Sequence, residues 1–113
     1  MDTKLVVIVA APRVASLVEA LIQRLVARPL VSQKPPTLRR LIHAVLAAEP
    51  QMIVYATLSD EERITRWLKD LDLRQERVRF LVCSYTGFNV GLASLIERQM
   101  ARQTCGVRVS YAA

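Results

Sequence analysis

Two kinds of apolar pattern alternate along the chain. Leu5 to Ala11 is an unbroken apolar run, and Met52 to Ala56 is a second. Runs this short and this continuous predict strands buried on both faces. Between them Val14, Leu17, Val18, Leu21, Ile22, Leu25 and Val26 recur at helical spacing, while Arg13, Ser16, Glu19, Gln23 and Arg24 fall outside that stripe. The pattern predicts an amphipathic helix that opens at Pro12, a residue suited to a first turn, and stops at Pro29. Leu30 to Gln33 is a candidate short strand, and Pro35-Pro36 forces a turn. Thr37 then suits an N-cap ahead of Leu38, Leu41, Ile42, Val45 and Leu46 on one face, with Pro50 closing the helix.

The second half repeats the alternation. Ser59-Asp60-Glu61-Glu62 has the spacing of a capping box, with Ser59 as N-cap and Glu62 three residues on. Ile64, Trp67, Leu68 and Leu71 form the apolar stripe behind it. Val78 to Tyr85 predicts a strand, Thr86-Gly87-Phe88-Asn89 a turn, and Asn89 to Gln103 a helix. Gly106 suits the position just past that helix. In Val107 to Tyr111 the apolar Val107, Val109 and Tyr111 alternate with Arg108 and Ser110, the pattern of an edge strand or one with a wet face.

The predicted order is βαβαβαβαβ in a single domain, residues 1–113. It calls for an α/β sandwich, a parallel sheet flanked by helices with right-handed crossovers. With 52% of 113 residues apolar, the chain has enough material for a core. No apolar stretch is long enough to span a bilayer.

The formal charge is +6, and the cations are nearly all Arg. Arg suits bidentate contact with phosphate or carboxylate. A GC-rich coding bias, which raises Ala, Arg, Leu and Val together, gives the same composition. Cys83 and Cys105 are the two cysteines. On parallel neighbouring strands they fall at opposite ends and cannot bridge, and free buried thiols suit a reducing cytoplasm. Without a CxxC or a His/Cys cluster, no zinc site is expected.

In open α/β sheets ligands bind at the carboxyl ends of the strands. Here those ends are Ala10-Ala11-Pro12 and Tyr55-Ala56-Thr57. They carry no acid, nucleophile or glycine-rich turn. The expectation is a domain that binds rather than transforms, with no cofactor and no metal.

The layout resembles the receiver domain of bacterial response regulators, over almost the whole chain and by element order and length. The resemblance implies a flavodoxin-like sheet of order 2-1-3-4-5. The acidic pair that holds magnesium in receivers is replaced by Ala10-Ala11, and the phospho-accepting Asp by Tyr55 or Ala56. Ser84 matches the Ser or Thr that ends the fourth strand. Ser110 stands at the place of the Lys, Tyr111 at the following Pro, and Val107 at the switch aromatic. Phosphoryl transfer needs the carboxylate and the cation, so the resemblance implies a pseudo-receiver acting by protein contacts. The chain shows no helix after its fifth strand, so this layout leaves part of one sheet face bare. Either the natural protein continues or a partner covers that face, and a homodimer through the last strand, at Arg108, Ser110 and Tyr111, and the helix before it is the corresponding expectation.

Two further candidate sites stand beside that face. The segment from Ser84 to Gly91 runs from a strand end into a helix start. Ser84 and Thr86 offer hydroxyls, Gly87 a tight turn, Asn89 a cap, and Arg13 could close on the same spot, which together suit an anion. An ordinary βα turn explains most of the same residues. Arg24, Arg28, Lys34, Arg39 and Arg40 lie in a stretch with no acid between Glu19 and Glu49, expected to form one basic edge for nucleic acid or an acidic protein surface. A solvated face is the alternative there. Asp60, Glu61 and Glu62 are explained by helix capping and the helix dipole. His43 stands on a polar helix side with no paired Ser or Cys. The leading functional expectation is a non-catalytic regulatory or assembly domain. A small-molecule or anion sensor and a nucleic-acid binder are the alternatives.

Overall fold

The computed structural model describes residues 4–26, 29–57, 59–70, 77–101 and 108–112. The elements are β1 (Lys4–Ala10), α1 (Pro12–Leu25), β2 (Leu30–Gln33), α2 (Leu38–Ala47), β3 (Met52–Ala56), α3 (Glu61–Asp70), β4 (Val78–Ser84), α4 (Val90–Ala101) and β5 (Arg108–Ala112). Their order along the chain follows the apolar pattern. All strand pairings are parallel, and the sheet runs β2-β4-β1-β3-β5.

The expected order 2-1-3-4-5 is therefore corrected. β1 and β4 are both seven residues long, and they pair along their full length from Lys4↔Val78 to Ala10↔Ser84. Placing β1 beside β2 would have matched it with a strand of four residues that is mostly exposed. The long apolar strands take the middle, and β2 goes to an edge.

Alternation along the strands sends side chains into two cores. Val6, Ile8 and Ala10 of β1, Val54 of β3 and Phe80 of β4 face Val18, Leu21 and Ile22 of α1 and Ile64 and Leu68 of α3. Val7 and Val9, Ile53 and Tyr55, and Leu81 and Cys83 face Leu41 and Val45 of α2 and Ala93 and Ile96 of α4. Each fully buried Val, Ile or Leu contributes about 1.5–3 kcal/mol before chain entropy is counted.

Direction and face are coupled. The crossovers through α1 and α3 run toward the β2 edge, and those through α2 and α4 run toward the β5 edge. Alternating direction with alternating face gives all four the same hand, as the right-handed rule for such units requires. Each face thus carries two helices. The bare face expected from the receiver layout does not arise, because that expectation depended on the other strand order. Among the described residues the exposed large apolar side chains are Leu25, Val31 and Leu95, on three different elements.

Local signals fare unevenly. Thr37 caps α2, its Oγ1 accepting from the Arg40 N–H at 3.2 Å. The cap of α3 is Asp60 rather than Ser59: its Oδ1 accepts from the Glu62 and Arg63 N–H groups at 3.0 and 3.3 Å. An ionised carboxylate is the better acceptor at a helix N-terminus. Asn89 lies just outside α4 and accepts from the Leu92 N–H at 3.1 Å. Gln103, Cys105, Gly106 and Val107 lie outside the described residues. β4 and β5 are separated by β1 and β3, so they are not the neighbours assumed for the two cysteines.

Candidate functional site: the crevice between β1 and β4

In a sheet of this kind a crevice opens where adjacent strands send their following helices to opposite faces. β1 continues into α1 and β4 continues into α4, and these helices lie on opposite faces. β1 and β4 are adjacent, so the crevice lies between their carboxyl ends.

Its walls are short side chains. Ala10 pairs in register with Ser84, and the Tyr85 N–H donates to the Ala10 carbonyl at 3.0 Å, extending the ladder by one residue. Ala11 is the N-cap of α1, no side chain caps that helix, and Pro12 fills the first turn. The N–H groups of Arg13 and Val14 thus open the helix without a side-chain acceptor among the described residues. Ser84 is the decisive group. It is 6% exposed and the one buried polar residue among those described. Its hydroxyl makes no hydrogen bond to any described residue. Val78, Phe80 and Val82 of the same strand face α1, so alternation turns Ser84 to the α1 side, beside Ala10.

The opposite wall is the turn from β4 to α4. The Phe88 N–H donates to the Tyr85 carbonyl at 3.0 Å, and the Phe88 ring stacks on Tyr55 at a centroid distance of 5.9 Å and an interplanar angle of 9°. This stacking fixes the turn from beneath. Gly87 lies in the tight turn that the Phe88–Tyr85 hydrogen bond closes, and a Cβ there would meet the Tyr85 ring at 3.1 Å. Thr86, Asn89 and Arg13 are exposed at the mouth. Asn89 is committed to its cap. Arg13 thus follows the end of β1, and Ser84, Thr86 and Gly87 stand at or just past the end of the adjacent β4. Phe88 and the uncapped α1 terminus were not singled out in the sequence.

Comparison with family models, with curated proteins and with solved structures gave no match.

The other candidate residues distribute differently. The expected single basic edge splits. Arg24 lies on the α1–α3 side, where its Nη2 pairs with Glu61 Oε1 at 3.0 Å. The groove there, of about 530 Å³, is lined by Arg24, Glu61, Glu62, Thr65, Arg66 and Lys69, and its two carboxylates pair with Arg24 and Arg66. Lys34 and Arg40 line a separate groove with His43 on the α2 side. Arg39 is exposed on α2, and Arg28 lies outside the described residues. Arg108, Ser110 and Tyr111 are on β5, at the sheet edge opposite β2. Asp60, Glu61 and Glu62 form ion pairs with Arg63, Arg24 and Arg66. No group of three metal-ligating side chains occurs among the described residues. No described helix is long and apolar enough to cross a membrane. Cys83 is buried in β4, and burial pushes its thiol up to about 11, far from a reactive thiolate.

Proposed function

We propose that this chain is a non-catalytic binding domain that takes a small anion in the crevice between β1 and β4. The observation that carries the reading is the placement of Ser84, a largely buried residue on the α1 side of the sheet whose hydroxyl has no described hydrogen-bond partner, at the strand end adjacent to the one that opens the uncapped α1. A phosphate, sulfate or carboxylate oxygen could accept from that hydroxyl and from the α1 N–H groups, with the Arg13 guanidinium closing over it. Ala10 and Ala11 are small enough to leave the backbone within reach.

Binding is favoured over catalysis by what lines the crevice. Ser84 and Thr86 have no His, Asp or Glu beside them in the β1 and β4 ends to accept a proton. In this reading the domain is regulatory, as its receiver-like element order suggests. Anion occupancy would be passed on through protein contacts.

Thermal melts in phosphate, against chloride of equal ionic strength, test the reading. Stabilisation should follow ligand concentration in the wild type and shrink in Arg13→Ala and Ser84→Ala. Equal melting in both salts for the wild type would reject the site.

A further inference from the structure

We propose that the groove between the β2–α2 connection and α2 receives an extended acidic segment of a partner protein. The proposal rests on residues other than those of the crevice.

The groove exists because α2 does not reach the sheet edge. Its Leu41 and Val45 pack with Val7 and Val9 of central β1. Val31, in register with Leu81 on the same face, is left 46% exposed. The resulting groove has a volume of about 540 Å³. Its lining includes Leu81 of β4, Lys34 and Pro35-Pro36 of the β2–α2 connection, and Arg40, His43 and Ala47 of α2.

Its charge is uncompensated. Lys34, Arg39 and Arg40 form no ion pair with any described residue, whereas Arg24, Arg63 and Arg66 all do. No acid lines the groove, and the sequence offers none between Glu19 and Glu49. Arg39 and Arg40 also stand in the first turn of α2, which has no acid, so they oppose the helix dipole. A folded domain gains nothing from such placement by itself. An anionic partner would relieve it.

The shape and chemistry of the groove favour a polypeptide. The lining mixes Lys34 and Arg40 with the apolar Pro35, Pro36, Ala44, Ala47 and Leu81, so an extended segment that alternates acidic and apolar side chains meets both. Nucleic acid is disfavoured because no Phe, Tyr or Trp lines the groove to stack on a base.

Fluorescence anisotropy tests this with three labelled probes: a short peptide of alternating Glu and Val, its Lys-for-Glu counterpart, and a single-stranded oligouridylate. The acidic peptide should bind and the basic one should not. Binding should weaken about tenfold in Arg40→Glu and fall with added salt. Ala47→Trp, which keeps every cation but fills the groove from an exposed helix position, should weaken it as well. Arg63→Glu, on the other sheet face, should leave it unchanged. Circular dichroism confirms that each variant is folded. Acidic-peptide binding weaker than about 1 mM at low salt would overturn the proposal. So would binding indifferent to Ala47→Trp, or tighter binding of the oligouridylate. The phosphate response of the crevice is measured separately and is independent of all three outcomes.

Discussion

Replacing Ser84 by Ala should change the free domain little and weaken its anion complex. The Ser84 hydroxyl has no described hydrogen bond to lose and is not closed off from solvent, so its removal should stay within about 0.5 kcal/mol, about 2 °C in melting temperature for a domain of this size. When an anion is bound, the hydroxyl donates a hydrogen bond to a charged acceptor, worth about 1.5–3 kcal/mol. Its loss should raise Kd by about 10- to 150-fold. The assay is a pair of calorimetric melts with and without phosphate, supported by titration calorimetry at constant ionic strength. Ser84→Thr, which keeps the hydroxyl, should retain binding. An Ala variant that responds to phosphate as the wild type does, or that melts several degrees lower without it, would refute the reasoning, because the hydroxyl would have no ligand in the first case and an internal partner in the second.

Asp60→Ala should destabilise the domain by about 1 kcal/mol through loss of two cap hydrogen bonds, while Ser59→Ala should change little; urea unfolding separates them. Stability should fall as pH rises from about 9 to about 11. In that window the unfolded Cys83 thiol has lost its proton while the folded one keeps it, so the unfolded state binds fewer protons. The two-unit difference amounts to about 3 kcal/mol and should be absent in Cys83→Ala, measured by unfolding at both ends of the window. Phe88→Ala should cost about 3 kcal/mol and release the turn that bears Thr86 and Gly87, which hydrogen exchange at Phe88 and Leu92 would register.

The elements were legible because each has its own period and punctuation. Pro12, Thr37 and Asn89 mark helix starts by backbone chemistry that needs no tertiary context. The choice between Ser59 and Asp60 was not legible, because both can cap and the geometry of the preceding loop decides. Strand order was not legible either. Nothing local in Leu30–Gln33 says that it will lie beside Phe80–Cys83 rather than beside β1. The basic stretch misled for the same reason: residues close in sequence were assigned to one edge, but α1 and α2 lie on opposite faces, so Arg24 and Arg40 are parted by the sheet.

Strand order decides more than the outline of the fold, because it sets which strand ends can cooperate. In the order 2-1-3-4-5 the change of face falls between β1 and β3. β4 would then stand two places from β1, about 10 Å away at ordinary strand spacing. Ser84 would be parted from Ala10 and from the start of α1 by the Tyr55-Ala56 end of β3, and Arg13 could not close on the same ligand. In the order found here, β1 and β4 are direct partners and the change of face falls between them. The strand end with the smallest side chains is thereby set against the one that carries a hydroxyl, and the uncapped helix stands over both. A layout that differs from the receiver's by the placement of one strand thus moves the change of face from the β1–β3 ends to the β1–β4 ends, where a hydroxyl stands beside the small side chains.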